Sequence, residues 1–324
     1  MSMGEKKRPV IVGVGEVLWD LLPAGPEMGG APANFAYHAR ALGALASVVT
    51  RVGNDPLGQE VLRRFNQFEL APETVQVDDA APTGTVSISL NGDGVPQYVI
   101  HDNVAWDRLA ATPTALALVC QADAVCFGTL AQRNEIGRVA IQQLVAVAPA
   151  TTWRVFDINL RQTFYSQDII KQSLRLANVL KLNDSELSIL AAMFNLGKSP
   201  RQQIEGLAKG FGLRLVALTC GAHGSLLYRE GKWSEQESRR VKVVDTIGAG
   251  DAFTAALVMG LLLEFALEDL HATAAELAAH VCSHSGAMPP LPSRIRDRFA
   301  SLHFQRRQRS SEHDVAVSSH GPRS

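Results

Sequence analysis

The sequence predicts an α/β protein with one mostly parallel β-sheet that is covered by helices on both faces. Short apolar strands alternate with amphipathic helical patterns from about residue 124 to residue 219, and this order is typical of parallel strands joined by helical crossovers. The strands are nearly continuous apolar runs, as expected when both faces of a sheet are buried. Polar residues directly follow several strands, where open sheets of this Rossmann-like type bind their ligands.

The first hundred residues carry the N-terminal strands and a separate hairpin. We expect a strand over 9–15 that continues to residue 22, a turn-rich segment over 23–30, a helix over 31–42, a strand over 46–52 and a helix over 56–69. Two alternating runs, 83–90 and 95–100, flank Asn91-Gly92-Asp93-Gly94, which predicts a β-hairpin outside the main alternation. This hairpin is either a plain surface feature or part of a cover over a ligand.

The remaining elements continue the alternation to the end of the globular part. Strands are expected over 124–128, 154–158, 179–182 and 213–219. Helices are expected over 135–147, 168–177, 185–194 and 202–210. A second hairpin over 226–234 and a β-branched strand over 241–244 precede helices over 252–266 and 267–285. The sequence therefore predicts one domain over 9–302, followed by a polar, disordered tail over 303–324.

Composition and charge limit the class of protein. The chain has 324 residues, of which 46% are hydrophobic, so it can bury a large core. Its 31 basic and 32 acidic residues nearly cancel, which argues against a nucleic-acid or membrane partner. The cysteines lack a C-x-x-C spacing and are expected to be reduced thiols. Because we find no signal-peptide pattern and no apolar run of membrane-spanning length, we expect a soluble, cytoplasmic protein.

The stretch Asp245-Thr246-Ile247-Gly248-Ala249-Gly250-Asp251-Ala252-Phe253 joins the predicted strand over 241–244 to an apolar helix. Its glycines let a ligand approach the backbone, and the first turn of the helix offers unpaired N–H groups and the positive end of the helix dipole. The pattern therefore favours a phosphate site. A phosphate at this place would repel the carboxylate of Asp251. The position of this acid is explained if Asp251 must lie beside the phosphate to accept a proton from an attacking hydroxyl group. The alternative is an acid that merely complements the dipole.

These nine residues resemble the C-terminal signature D-T-x-G-A-G-D of the ribokinase/PfkB family of carbohydrate kinases. A second family block, Gly29-Gly30-Ala31-Pro32-Ala33-Asn34-Phe35-Ala36, lies far upstream, and the resemblance runs from about Val10 to about Pro292. It implies a ribokinase-like fold in which residues from about 16–30 and 83–103 form a small β-sheet lid over the sugar. It also implies that ATP and Mg²⁺ are the cofactors.

The resemblance assigns roles around the transferred phosphoryl group. Asp251 would be the catalytic base, and the backbone N–H groups of Gly248, Ala249 and Gly250 would stabilise negative charge. Arg161, in the pattern D-x-N-x-R, would donate hydrogen bonds to phosphate oxygens. Without the family motif, a surface ion pair is the better interpretation of this arginine.

The sugar side is expected at the N-terminal block. Besides Asp251, the residues that the resemblance places against the sugar are Asp20, Gly29, Gly30 and Asn34. Asp20 lies in an otherwise apolar run, which on its own indicates an edge residue that faces water. In the family, the acid at this position accepts hydrogen bonds from sugar hydroxyl groups.

The nucleotide and metal residues are expected where strands end. The nucleotide-binding set implied by the resemblance is Asn183, Thr219, Gly221, Gly224, Gly248 and Gly250. Asn183 and Glu186 match the family N-x-x-E, and their oxygens, one helical turn apart, suit Mg²⁺ held through water. The alternative is a helix cap by Asn183 or Asp184 with Glu186 in the first turn. The resemblance also allows a monovalent cation such as K⁺ beside the carbonyl groups of Asp245 and Ile247.

The expected function is ATP-dependent phosphorylation of a primary hydroxyl group of a small neutral sugar. The combination of Gly15-Glu16-x-Leu18-x-Asp20 with the Gly29–Ala36 block and Ala105-Trp106-Asp107 is similar to fructokinases, so fructose is the first candidate. Ribokinase, 2-keto-3-deoxygluconate kinase and nucleoside kinase activities of the same family remain open, as does a sugar or nucleotide sensor without turnover. The resemblance also allows a homodimer assembled through the lid.

Overall fold

The computed structural model describes residues 8–90 and 96–301, and within them the fold is an α/β sandwich. Its strands are β1 Val10–Val14, β2 Leu18–Leu22, β3 Gly25–Gly29, β4 Leu45–Gly53, β5 Val75–Asp78, β6 Gly84–Leu90, β7 Pro96–Ile100, β8 Ala124–Phe127, β9 Trp153–Asp157, β10 Val179–Asn183, β11 Leu215–Thr219, β12 Ser225–Arg229 and β13 Lys232–Gln236. Its helices are α1 Ala31–Ala41, α2 Pro56–Gln67, α3 Pro113–Val119, α4 Glu135–Ala146, α5 Gln167–Leu176, α6 Asp184–Phe194, α7 Pro200–Phe211, α8 Ala249–Leu262 and α9 Leu267–Cys282.

The large sheet has the strand order β13-β12-β11-β10-β9-β8-β1-β4-β5. All neighbouring strands from β11 to β5 run parallel, while β12 and β13 add an antiparallel hairpin at one edge. Apolar side chains from α1, α2, α8 and α9 form the core on one face, and those from α3 to α7 form the core on the other. The predicted fold class is confirmed, because the strands are apolar runs buried on both faces.

A small four-stranded sheet with the order β3-β2-β6-β7 stands apart from the large one. The prediction of one strand from residue 9 to residue 22 is wrong, because Gly15, with a φ of 145°, lies between β1 in the large sheet and β2 in the small one. The segment 23–30 is also more than a turn, since β3 pairs with β2 along its length. The hairpin of β6 and β7 is confirmed, and its turn residues 91–94 lie outside the described residues.

Several predicted boundaries shift in the structure. The helix expected over 252–266 is α8, which begins at Ala249 and ends at Leu262, and α9 ends at Cys282 instead of residue 285. The strand β5, the helix α3 and a helical segment from Ser293 were not predicted. The predicted tail over 303–324 lies outside the described residues, so the division of the chain into a domain and a tail stays a prediction.

The strand predicted over 241–244 is not a strand. Val243 is 60% exposed, and the backbone N–H of Val244 donates to the carbonyl of Cys282 at the end of α9. The edge strand β13 has already ended at Gln236, so the β-branched run has no strand ladder to join. The propensity of valine for strands therefore has no effect here.

Two further expectations concern cysteines and membranes. The four cysteines are free, as predicted, and only one of them is exposed. Within the described ranges, every helix is too short or too polar to cross a membrane.

Candidate active site

The N-terminus of α8 provides a place for an anion. Gly248, the N-cap residue, has a left-handed conformation with a φ of 75°, and no described side chain caps the helix. A Cβ atom on Gly248 would lie 2.5 Å from the Cβ of Ala287, so only glycine fits against this neighbouring loop. The N–H of Ala249 donates to the carbonyl of Thr246 at 3.3 Å, whereas those of Gly248 and Gly250 have no partner among the described residues. These two N–H groups therefore remain available, together with the positive end of the helix dipole.

Asp251 lies in this first turn of α8 and is partly exposed. The side-chain amide of Asn34, from the first turn of α1, donates a hydrogen bond of 2.7 Å to Asp251 Oδ2. Burial and the nearby Asp157 carboxylate raise the pKa of Asp251 to about 7, although the Asn34 hydrogen bond, Lys181 and Arg161 act in the opposite direction. A pKa near neutrality suits a general base.

The predicted sugar residues form a continuous chain of contacts that ends at Asp251. Asp20 on β2 is partly buried, and its Oδ2 atom lies 2.9 Å from where a Cβ of Gly29 would be. Gly30 has a φ of 116° and is the N-cap residue of α1, whose first turn holds Asn34. The buried Asn34 Oδ1 has no hydrogen-bond partner among the described residues. An orphan acceptor at this place fits a donor from a sugar hydroxyl group.

Asp20 is not a simple edge residue that faces water. Burial raises its pKa, the Glu27 carboxylate on the adjacent strand raises it further, and Arg161 lowers it. Asp20 and Glu27 lie directly opposite each other on β2 and β3, so the Arg161 guanidinium offsets part of the repulsion between two facing acids. The charge of Arg161 thus acts on the sugar side of the site.

Arg161 itself is exposed and donates to the carbonyl of Leu160, its neighbour in the chain. The next residue, Gln162, donates a hydrogen bond of 2.7 Å to the carbonyl of Tyr98 on β7. The loop that carries Arg161 is therefore attached to the small sheet. The predicted contact of Arg161 with phosphate stays a prediction.

On the nucleotide side, the ends of β10 and β11 place Asn183 and Thr219 directly opposite each other. Gly221 is exposed and has a φ of 52°, and a Cβ atom added to it would have no neighbour within 4 Å, so a ligand can approach it. Gly224 has a different reason to be glycine, because a Cβ atom there would collide with the carbonyl of Gln236. Its predicted role in nucleotide binding stays a prediction.

The predicted magnesium pair forms a capping box at the start of α6. Asn183 Oδ1 accepts the N–H of Glu186, while Glu186 Oε2 accepts the N–H of Asn183 and Oε1 accepts that of Leu160, all at 2.8 Å. The alternative of a helix cap is thus present in the structure. Each carboxylate oxygen still has a second lone pair that could accept a hydrogen bond from metal-bound water.

A metal ion held here by Asn183 and Glu186 would take its remaining ligands from water and the nucleotide phosphates. No group of three or more His, Cys, Asp or Glu side chains that could hold a metal occurs within 8–90 and 96–301. This finding fits Mg²⁺, which usually keeps several waters and is bound by few carboxylates together with substrate phosphates. The magnesium assignment therefore stays a prediction that the donor atoms permit.

The side chain of Asp245 connects the turn that precedes α8 to the loop after α9. Its Oδ1 accepts the N–H of Ile247 at 3.0 Å, and its Oδ2 accepts that of Gly286 at 3.1 Å. Next to Gly286, the carbonyl of Ala287 accepts a hydrogen bond from His38 on α1. Burial lowers the pKa of His38 to about 4, so this histidine is neutral at pH 7. The monovalent cation beside Asp245 and Ile247 stays a prediction.

Sequence reasoning missed a buried cluster beneath this turn. Lys181 Nζ lies 3.0 Å from Asp157 Oδ1, and the hydroxyl group of Thr254 lies 2.8 Å from Asp157 Oδ2. Glu16 is also buried, and burial raises its pKa to about 7. Lys181 and Glu16 are charged residues within or directly after apolar strands, and this pattern was the signal in the sequence.

Comparisons with known proteins agree with the geometry. A family model described as pfkB family carbohydrate kinase matches residues 25–294. A fructokinase from Klebsiella pneumoniae is 29% identical over 299 residues, covering 86% of this chain and 95% of its own. The crystal structure of an uncharacterized sugar kinase from Pyrococcus horikoshii in complex with ATP is 26% identical, with a TM-score of 0.71, and covers 86% of this chain and 94% of that one.

A third protein shows the same fold at lower identity. The crystal structure of a fructokinase from Xylella fastidiosa with bound ATP has a TM-score of 0.77 at 21% identity, over 92% of this chain and 98% of that one. The family model covers most of the chain, including both glycine-containing blocks that meet at the Asn34–Asp251 hydrogen bond. The chain therefore belongs to the pfkB family of carbohydrate kinases and is a sugar kinase.

Proposed function

We propose that this sugar kinase transfers the γ-phosphoryl group of ATP to a primary hydroxyl group of a small neutral sugar, with fructose as the first candidate. The observation that carries the proposal is the hydrogen bond between Asn34 and Asp251. It joins the Gly29–Ala36 block, which is expected to bind the sugar, to the glycine turn at the start of α8, which is expected to bind phosphate and is called the phosphate turn below. The fructokinase relative supports the choice of sugar, and the Pyrococcus kinase in complex with ATP supports the choice of nucleotide.

In the proposed reaction, Asp251 accepts the proton of the sugar hydroxyl group as its oxygen attacks the γ-phosphorus. The new bond joins this oxygen to phosphorus, the bond from phosphorus to the bridging oxygen breaks, and ADP leaves. The N–H groups of Gly248, Ala249 and Gly250 stabilise the negative charge of the phosphoryl group during transfer. The small sheet covers the sugar and excludes water, which would otherwise be phosphorylated in its place.

The proposed holders of Mg²⁺ are Asn183 and Glu186, acting through water. When bound, Mg²⁺ neutralises part of the charge of the phosphates. Thr219, Gly221 and Gly224 are proposed to contact the nucleotide from the end of β11 and the turn that follows it.

The magnesium assignment predicts a specific change in Glu186→Gln. Glutamine retains an acceptor for one of the two backbone N–H groups but loses the negative charge. We expect the Mg²⁺ concentration for half-maximal rate to rise by about tenfold, as for other groups that orient metal ligands. The measurement is the initial rate against Mg²⁺ concentration at saturating ATP and sugar.

A matched control for Glu186→Gln is Gln202→Ala, which removes the capping-box side chain of α7 at the same helix position. This variant should lose some thermal stability and keep the wild-type Mg²⁺ titration. If Glu186→Gln also keeps that titration, Glu186 is only a capping residue and the magnesium assignment is wrong.

The choice of a neutral sugar rests on Asp20. An ionised carboxylate accepts hydrogen bonds from hydroxyl groups and repels the carboxylate of an acid sugar such as 2-keto-3-deoxygluconate. We expect fructose to be preferred over that acid sugar by at least about tenfold in kcat/KM, equivalent to roughly 1.4 kcal/mol. The measurement is a coupled ADP-release assay with a panel that includes fructose, ribose, a nucleoside and the acid sugar.

The variant Asp20→Asn keeps the shape of the side chain and removes its charge. It should raise KM for the neutral sugar and narrow the preference over the acid sugar. Glu135→Gln is the control, because it neutralises an exposed acid in the first turn of α4 and should leave both KM values at those of the wild type. A wild-type enzyme that prefers the acid sugar would contradict both the role of Asp20 and the assignment to neutral sugars.

The small sheet, which is the proposed lid over the sugar, is also the predicted contact surface of a homodimer. Leu21 on β2 and Val99 on β7 lie on the same face of the small sheet, each in register with Ser87 of β6. Both are exposed, although both are large and apolar. An apolar face of this kind supports assembly through the lid, which stays a prediction.

A further inference from the structure

The buried cluster beneath the first turn of α8 has no part in the mechanism above. It contains Lys181 on β10, Asp157 on β9 and Thr254 on α8, all of them buried. Lys181 and Asp157 are directly opposite each other on adjacent parallel strands, so their side chains leave the sheet on the same face. The Lys181 ammonium group lies 3.0 Å from Asp157 Oδ1, at the distance of a charge-assisted hydrogen bond.

Stability alone gives no reason for a lysine at this position. Val179 on the same strand and Val155 on the next belong to the apolar core on this side of the sheet. An apolar residue at position 181 would join that core without the cost of removing an ammonium group from water. Buried ion pairs are often no more stabilising than apolar residues of similar volume. The charge of Lys181 therefore calls for another explanation.

The ammonium group contacts the turn that carries Asp251. A Cβ atom on Gly250 would lie 2.7 Å from Lys181 Nζ, so the group sits directly against the Gly250 backbone. The hydroxyl group of Thr254 lies 2.8 Å from Asp157 Oδ2 and 3.0 Å from the Gly250 carbonyl, so it can donate to either. The Lys181–Asp157 pair thus connects two central strands of the sheet to the phosphate turn.

The charges around Asp251 come from several elements. Asp157 on β9 disfavours its ionised form, whereas Lys181 on β10, Arg161 after β9 and the amide of Asn34 on α1 favour it. The buried carboxyl group of Glu16, after β1, interacts electrostatically with Asp251 as well. Lys181 is the cation that also forms an ion pair with Asp157, so it offsets the strongest of the unfavourable charges.

We propose that Lys181 is a positioning residue of the phosphoryl-transfer site, whose buried ammonium group supports the Gly250 turn and balances Asp157 so that Asp251 is ionised when the sugar arrives. The inference rests on the proposed role of Asp251 as the base. It predicts that Lys181 affects kcat and its pH dependence and has little effect on sugar binding, because among the described residues its ion pair is with Asp157 and not with a predicted sugar residue.

The test compares Lys181→Met, the double variant Asp157→Asn/Lys181→Met and the control Lys171→Met, which removes an exposed lysine of α5. In Lys181→Met we expect kcat at pH 7 to fall by at least about tenfold, and the acid limb of the pH–rate profile to move upward by about one unit, because Asp157 is no longer balanced. The KM for sugar should stay within about threefold of wild type, because the contacts that bind the sugar before the reaction are unchanged. Lys171→Met should match the wild type throughout.

The double variant removes both charges and keeps the proposal testable if Lys181→Met fails to fold. Replacing both members of a buried pair is expected to be tolerated better than removing one. Its acid limb should return toward that of the wild type, while kcat stays at least about fivefold lower because the turn has lost its support. A double variant with wild-type kcat, or a folded Lys181→Met with wild-type kcat and acid limb, would overturn the proposal. Full activity in Asp251→Asn would instead refute the base role.

Discussion

Replacing Asp251 with asparagine should reduce kcat by about 10²–10⁴-fold while the protein still binds ATP. Asparagine has nearly the same shape and can still pair with Asn34, but it cannot accept the proton of the attacking hydroxyl group. In the wild type, burial and Asp157 raise the pKa of Asp251 to about 7. Because only the ionised form is a base, kcat/KM should rise with pH around this value. The measurements are pH–rate profiles and nucleotide binding by calorimetry.

The matched control for Asp251→Asn is Asp168→Asn, which changes an exposed acid in the first turn of α5. Asp168 occupies a helix first turn as Asp251 does but is not one of the predicted site residues, so this variant should retain wild-type kcat and pH dependence. If Asp251→Asn keeps more than about a third of wild-type kcat, then Asp251 is also only a first-turn acid, since loss of a positioned base costs far more.

Much of the fold follows from local patterns in the sequence. The parallel strands β8 to β11 are short apolar runs between amphipathic segments, and hydrophobic periodicity finds such elements wherever both faces of a sheet are buried. The errors occur where contacts with distant parts of the chain decide whether a segment forms a strand. The valines at 241–244 have the composition of a strand but no neighbouring strand, whereas β3 is rich in glycine and proline and forms because β2 is beside it.

The candidate site is predictable in its parts but not in its contacts. Asn34 and Asp251 are far apart in the chain, and only the packing of α1 against α8 brings their side chains within hydrogen-bond distance. The pairing of Lys181 with Asp157 depends on the register of β9 and β10, which no motif encodes. The N-x-x-E pattern has two interpretations, and the structure contains the capping box without excluding a metal held through water.

The glycines of the phosphate turn illustrate the same limit. Sequence spacing treats Gly248 and Gly250 alike, but the two have different surroundings. Gly248 has a φ of 75°, and a Cβ atom there would lie 2.5 to 2.8 Å from atoms of Ala287, including its backbone. Gly250 is not among the glycines with positive φ, and its closest neighbour is the flexible end of Lys181. Gly248 is therefore the less replaceable of the two.

Gly248→Ala should reduce kcat by at least about 10²-fold, the typical cost of losing a donor to developing negative charge. Alanine at a left-handed φ costs roughly 1–2 kcal/mol. Here the added methyl group must also displace the Ala287 backbone or move the start of α8 away from it. Either shift misplaces the N–H groups of the turn. The measurements are kcat with saturating ATP and sugar, and the thermal unfolding temperature.

The variant Gly212→Ala is the control that separates the cost of a left-handed backbone conformation from that of a steric clash such as the one with Ala287. Gly212 follows α7 and has a φ of 68°, and a Cβ atom added to it would have no neighbour within 4 Å. It should lower the unfolding temperature through the same conformational strain and leave kcat unchanged. If Gly248→Ala behaves like Gly212→Ala, with lowered stability and normal kcat, then the turn at Gly248 does not hold the phosphoryl group. If Gly248→Ala loses activity beyond its loss of stability, the contact between Gly248 and Ala287 sets the position of the N–H groups that stabilise phosphoryl transfer.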